Sequence, residues 1–281
     1  MTQTAIELSN LHFGYQAERW TIEALDLEVR RGAKVAIAGA NGAGKSTLLL
    51  LLNGTLHPCR GEMRVLGKVP KYDRQGLRWL RSHTGLLVQD PDDQIIGSTV
   101  EQEVAFGPVN QGIAAAHCHD LVRAALSSME ALDLLHEPIH ELSFGQKKRV
   151  AIAAMLAVNP AILLLDEPTA GLDHPASQSL LAALDRLAAQ GVTILLATHD
   201  TEVAYEWADQ VLVLNPGAPA VSGTPAEVFS DSRRMQQYRL RQPSVLEIWQ
   251  KTLRDEVLTP PPRTKEELVQ QIHMVTRWAH R

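Results

Sequence analysis

The run Gly39-Ala40-Asn41-Gly42-Ala43-Gly44-Lys45-Ser46 constrains this chain more than any other segment. It follows the compact apolar strand Lys34–Ala38 and opens a helix-like run from Ser46 to Leu52. A strand that turns through glycines straight into a helix makes a phosphate cradle. The glycines let backbone N–H groups turn inward, and the helix N-terminus adds its positive dipole end. Lys45 supplies a point charge for the outer phosphates of a nucleotide, and the Ser46 hydroxyl is placed to ligate Mg²⁺. The same spacing can arise as a chance glycine-rich turn; its place between strand and helix argues against that. Gly39, Ala40, Asn41, Gly42, Ala43, Gly44, Lys45, Ser46 and Thr47 are the candidate nucleotide contacts.

A second element is Ala161-Ile162-Leu163-Leu164-Leu165-Asp166-Glu167-Pro168. Its apolar residues form a buried strand that delivers two carboxylates at its C-terminal end. Ligands of an open parallel sheet bind off the carboxyl ends of the strands, where the phosphate loop also lies. Asp166 is the candidate for holding Mg²⁺ and Glu167 for polarising an attacking water. Without the nearby loop, a strand ending in a solvated acidic turn would explain the pair as well.

The rest of the chain fits an α/β class. Ala5–Leu11 and Ile22–Val29 read as strands around a turn at Phe13–Tyr15, and Val192–Ala197 as another apolar strand. Pro175–Gln190 alternates as an amphipathic helix, and Thr99–Leu135 is mostly helical, with Ala and Leu at three- and four-residue spacing. Strand–helix alternation with continuously apolar strands predicts a parallel sheet covered on both faces. Residues 95–150 read as a helical subdomain. After a turn at Asn215-Pro216-Gly217, Ser244 with Glu247 and Thr264 with Glu267 have capping-box spacing. They predict two helices through Val245, Leu246, Trp249, Leu253 and through Leu268, Ile272, Val275, separated by Pro260–Pro262. With Trp249 and Trp278, these amphipathic helices offer apolar surface that either pairs two subunits or packs on its own domain.

Bulk properties exclude several classes. A net charge of -5 gives no global grip on nucleic acid. The two cysteines, Cys59 and Cys118, argue against a disulfide framework and fit a reducing compartment. Runs such as Leu48–Leu52 are far too short to cross a bilayer, and the N-terminus lacks the pattern of a secretory signal. In His117-Cys118-His119, adjacent helical residues face different ways and converge poorly on one ion. Lys147-Lys148-Arg149 reads as a solvated or phosphate-facing cluster at a helix start.

Leu142-Ser143-Phe144-Gly145-Gln146 resembles the ABC signature, usually Leu-Ser-Gly-Gly-Gln, and stands shortly before the Asp166 strand as in that family. Further matches follow in order over residues 5 to about 225. Tyr15 resembles the aromatic that stacks on adenine, Gln89 the Q-loop glutamine, Gly171-Leu172-Asp173 the D-loop, and His199 the switch histidine. Each is unremarkable alone; jointly and in order they are specific. Phe144 departs from the usual glycine, but its backbone N–H remains available. The resemblance implies a P-loop NTPase (ABC ATPase) core over residues 1–225, with an antiparallel β subdomain and an α-helical subdomain, and a C-terminal helical tail over 226–281. It also implies ATP and Mg²⁺ as cofactors. Two subunits, expected as a homodimer, would each place ATP between Lys45 and Ser46 of one chain and Ser143, Gly145 and Gln146 of the other. Glu167, His199 and Gln89 would be catalytic, and Ser46, Gln89 and Asp166 would face Mg²⁺.

Gln89-Asp90-Pro91-Asp92-Asp93-Gln94, Thr99-Val100-Glu101 and Val104 to Pro108 look like the ATPase subunits of energy-coupling-factor importers. The run Leu142 to Ala153 looks like the cobalt branch. The partners this implies are an energy-coupling transmembrane protein and a substrate-binding membrane component, with the chain peripheral on the cytoplasmic face. Nickel or a vitamin is the alternative cargo. A soluble ABC ATPase acting on nucleic acid would call for a coiled-coil insertion, tandem halves or a basic face. An exporter subunit is disfavoured by the Gln89–Pro108 resemblance, and a phosphotransferase would leave the signature and His199 without a role.

Overall fold

A computed structural model describes residues 4–16, 19–252 and 260–279, with side chains through residue 275. The chain runs β1 (Thr4–Phe13), β2 (Ile22–Arg30), β3 (Lys34–Ala38), α1 (Lys45–Leu52), β4 (Arg60–Val65), α2 (Arg74–His83) and β5 (Thr84–Leu87). Then follow α3 (Val100–Asn110), α4 (Ala115–Ser128), α5 (Phe144–Leu156), β6 (Ile162–Asp166), α6 (His174–Ala189), β7 (Thr193–Thr198), α7 (Thr201–Trp207), β8 (Gln210–Asn215) and β9 (Ala218–Gly223). The last helices are α8 (Pro225–Phe229), α9 (Ser232–Gln237), α10 (Ser244–Thr252) and α11 (Lys265–Ala279).

The main sheet has the order β5-β6-β7-β3-β8-β9. Its strands are parallel except β9, which pairs antiparallel with β8 at the edge. A smaller antiparallel sheet has the order β2-β1-β4. Alternation along the central strands explains why they are apolar throughout. Val35 and Ile37 of β3, Ile162 and Leu164 of β6, and Leu195 and Ala197 of β7 face α1 and the small sheet. Ala36, Ala38, Leu163, Leu165, Ile194 and Leu196 face α5, α6 and α7. With both faces covered, β6 is buried along its whole length, through Asp166 at its C-terminal end. The expected parallel sheet is present, and the strand ends of β3, β6 and β7 meet on one side.

Several local expectations need correction. Thr99–Leu135 is mostly helical as expected, in separate helices. Chain reversal at Gly112 (φ +78°) parts α3 from α4, and after Ser128 the backbone goes through turns and short 3₁₀ segments to Glu141. Pro108 within α3 and Glu130 at φ +53° mark these departures. β4, α2, β8 and β9 were not anticipated. In Arg60-Gly61-Glu62-Met63-Arg64-Val65, charged residues hide an edge strand whose buried positions are Met63 and Val65. Of the two expectations for the tail, packing on its own domain is seen. Val245, Leu246, Trp249 and Leu268 are buried in the same core as Tyr205 and Phe229 of this chain. Trp249 Nε1 donates to Gln271 at 2.8 Å, and Tyr205 donates to the Pro262 carbonyl at 2.8 Å. The Arg263 guanidinium donates to the carbonyls of Tyr205, Glu206 and Ala208 at 2.7, 3.0 and 2.6 Å. Part of that apolar surface is thus covered within the chain, while Ile248, Val269 and Met274 stay exposed. Leu253 and the Trp278 side chain lie outside the described residues.

Candidate nucleotide-binding site

Tyr15, Thr21, Asn41, Gly42, Ala43, Gly44, Lys45, Ser46, Thr47, Gln89, Asp166, Glu167 and His199 line one cleft of about 510 Å³ at the strand ends. The loop's geometry depends on its glycines. Gly42 and Gly44 have φ of +80° and +98°, where a side chain is strained. A Cβ on Gly39 would sit 2.7 Å from the Leu214 carbonyl oxygen. Gly39 and Ala40 contribute carbonyls rather than cleft wall: Lys45 Nζ donates to them at 2.8 and 3.3 Å. The Tyr15 ring is exposed at the cleft rim, its hydroxyl 3.2 Å from that of Thr47.

The carboxylates at the end of β6 are buried and differ in surroundings. Glu167 Oε1 accepts from His199 Nδ1 at 2.9 Å and lies 3.7 Å from Lys45 Nζ. Its backbone is left-handed, with φ +48°, an uncommon conformation for a residue with a side chain. Asp166 Oδ1 is buried with no hydrogen-bond partner. Burial pushes the Asp166 carboxyl above its usual range, and the Ser46 hydroxyl opposes this. A buried acceptor without a donor, beside a hydroxyl and with Gln89 on the same cleft, is the donor set a hard cation takes. The residues therefore fit Mg²⁺. Gln89 is exposed on a loop held by Gln94, whose side chain accepts from Val88 N–H at 3.1 Å and donates to the Leu86 carbonyl at 2.9 Å.

Ser143, Gly145 and Gln146 are not among the residues lining this cleft. They form the N-terminus of α5. Ser143 caps it, accepting from Gln146 N–H at 3.3 Å, while Gln146 Oε1 accepts from Ser143 N–H at 2.8 Å. Asp173 of the Gly171-Leu172-Asp173 turn caps α6.

Of the basic cluster on α5, Lys147 and Arg149 are partly exposed, but Lys148 is not solvated, contrary to expectation. Lys147 pairs with Asp92 at 2.7 Å, and Arg149 donates to the Met129 carbonyl at 2.9 Å. Lys148 is fully buried. Burial lowers its pKa to about 8 against the pull of the Glu167, Asp90 and Asp166 carboxylates. The sequence did carry a signal: Lys148 sits at i+4 from Phe144 and on the buried stripe with Ala151, Ile152 and Met155. Thr21 also lines the cleft, and nothing in its sequence context marked it. On α4, Cys118 is buried while His117 and His119 are exposed. Among the described residues, no group of three His, Cys, Asp or Glu gathers to hold a metal.

Comparison with known proteins agrees with this geometry. The ABC transporter family profile matches residues 22–170. The chain is 43% identical over 269 residues to the energy-coupling factor transporter ATP-binding protein EcfA2 of Methanospirillum hungatei, covering 95% of this chain and 68% of that protein. It is 42% identical over 259 residues to the cobalt import ATP-binding protein CbiO of Rhodobacter capsulatus, covering 91% and 92%. The solved structure of cbiO1 from Clostridium perfringens, part of the ABC transporter complex cbiONQ, superposes with a TM-score of 0.76 at 35% identity, covering 84% and 94%. The chain belongs to the ABC transporter family, as an ATP-hydrolysing subunit similar to those of energy-coupling factor and cobalt importers.

Proposed function

We propose that two copies of this chain hydrolyse MgATP at shared sites and power import of Co²⁺ through membrane partners. The observation that carries the shared-site reading is the division of the motifs. One cleft gathers Lys45, Ser46, Asp166, Glu167 and His199, while Ser143 to Gln146 sit at a separate helix N-terminus. Each half is an incomplete phosphate cradle, and a head-to-tail dimer completes both.

In this reading Tyr15 stacks on the base, and Asn41 to Thr47 wrap the phosphates. Asp166, Ser46 and Gln89 hold Mg²⁺, which neutralises phosphate charge when bound. Glu167 orients the attacking water, and His199, bonded to Glu167, reads the outer phosphate together with Gln89. No described helix is long and apolar enough to cross a membrane. In this reading the chain docks on the cytoplasmic face and passes the work to a membrane partner. The groove between α2 and α3, which flank Gln89 in sequence, offers Trp79, exposed Phe106 and Arg74, Arg78 and Arg81 for that docking.

The cobalt assignment rests on the run Ser143 to Ala153, with Phe144 in the signature, and on similarity along nearly the whole length of a cobalt import subunit. Accumulating an ion a thousandfold costs about 4 kcal/mol before any membrane potential, so an ATP-driven step suits a scarce cation. A strain lacking this chain should lose high-affinity Co²⁺ uptake, and a Lys45→Ala copy should not restore it. Normal Co²⁺ uptake with loss of Ni²⁺ or vitamin uptake overturns the cobalt reading and leaves the ATPase reading standing.

A further inference from the structure

Lys148 is a full positive charge at 0% exposure on a helix whose buried neighbours are Val150, Ala151, Ile152 and Met155. A buried charge is retained only where it is well paired. Its Nζ donates to the Glu167 carbonyl at 2.9 Å and to the Ala170 carbonyl at 2.7 Å. The ring of Phe144, one turn earlier on α5, has its centroid 4.8 Å from the same Nζ. That ring also lies against the turn after Glu167: a Cβ on Gly171 would be 3.1 Å from Phe144 Cε1. The substitution of phenylalanine for the usual glycine therefore covers the ammonium and closes on Gly171.

The Glu167 backbone is held from both sides. Its N–H donates to the Ala197 carbonyl at 2.9 Å, and its carbonyl accepts from Ala170 N–H at 3.2 Å as well as from Lys148. A left-handed glutamate persists only when its surroundings over-determine it, and Lys148 is the one of these contacts that comes from α5.

We infer that Lys148 is a positioning residue that ties the signature helix to the backbone of Glu167. When α5 shifts on meeting the neighbouring subunit's ATP, the shift reaches the water-orienting carboxylate of its own chain through this ammonium. The inference rests on the proposed role of Glu167 and on the shared site. It goes beyond them by assigning the link between the two halves to one side chain and to Phe144 that shields it.

Full-length Lys148→Met, which keeps length and volume but donates nothing, tests this. Misplacing a catalytic group by about 1 Å costs about 10²-fold in rate. The expected result is a kcat at least tenfold lower with KM for ATP within a factor of about three, because the P-loop contacts are untouched. A packing role alone would lower Tm and leave kcat per folded molecule unchanged, and that result overturns the inference. If Lys148→Met does not fold, Phe144→Leu is judged by the same two outcomes. Glu167→Gln measured alongside separates the layers. Near-normal hydrolysis by that variant removes the Glu167 reading itself. An inactive Glu167→Gln with a normal Lys148→Met removes only this inference. In single turnover, adding Lys148→Met to Glu167→Gln should lower the residual rate by less than about twofold, since no carboxylate is left to position. A full multiplicative loss overturns the link.

Discussion

In the proposed reading the N-termini of α1 and α5 are the two ends that face phosphate, and they are finished in opposite ways. α1 begins after Gly44, in left-handed backbone with no side-chain cap. Its first-turn N–H groups point into the cleft as open donors. α5 begins after Ser143 with a complete capping box, so the N–H groups of Ser143 and Gln146 are already satisfied by the motif's own side chains. The N–H groups of Phe144 and Gly145, at the first two helical positions, keep no intrahelical acceptor. The contrast teaches a division of labour. In that reading the P-loop end, which has no side-chain cap, completes its hydrogen bonds on phosphate. The signature end is capped by its own side chains, and in the proposed dimer it would meet the neighbour's nucleotide already ordered.

The largest expected effect lies on the P-loop side. Glu167→Gln should bind ATP with ordinary affinity and lose about 10²–10³-fold in turnover, the scale seen when one transition-state-stabilising group is removed. Steady-state hydrolysis by purified protein checks it; a near-normal rate breaks the assignment of the chemistry to this half. Next comes the complementarity of the halves. Ser143→Arg and Lys45→Ala chains should each be inactive as homodimers. When mixed, the heterodimer has one site with neither lesion, so random pairing restores about one intact site in four. If mixing restores no ATP occupancy, the two ends do not meet across subunits.

The two ends were not equally legible in the sequence. The cleft could be read because strand–glycine loop–helix and strand–Asp166-Glu167 are local patterns whose geometry follows from backbone rules. Lys45, Ser46, Asp166 and Glu167 converge simply because β3 and β6 are members of one parallel sheet. Lys148 was misread because a run of three basic residues suggests solvent, and only the buried stripe of α5 distinguishes its middle member. β4 and α2 were lost for a related reason: charged edge positions mask alternation, and Leu80 is the sole buried residue of α2. The destination of the tail was open, because an amphipathic face states that a partner exists and not which one. Tyr205 and Arg263 settle that through contacts to carbonyls far away in sequence.

Arg263 supplies a smaller test, set outside both phosphate ends. It satisfies three carbonyls at the end of α7, the helix that follows His199. Arg263→Ala should cost about 2 kcal/mol, the range for hydrogen bonds to a charged group. Thermal unfolding without nucleotide reads it, and kcat per folded molecule should hold. An unmoved Tm would mean that the tail rests on the domain without stapling it.

The smallest effect tests whether α5 is indeed finished without nucleotide. Removing a serine N-cap costs about 1 kcal/mol, which for a chain of this size is about 2–4 °C in Tm. Ser143→Ala in nucleotide-free protein should show that loss, and Ser143→Thr, which keeps the oxygen, should recover most of it. The corresponding change at α1 cannot behave alike, because Gly44 contributes no side chain to its cap. A Cβ placed there would lie 3.2 Å from the Thr21 carbonyl oxygen, at φ +98°, so Gly44→Ala strains the loop. If Ser143→Ala leaves Tm unchanged but weakens ATP-dependent pairing of subunits, the serine is held for phosphate alone, and the signature end is as unfinished as the P-loop end.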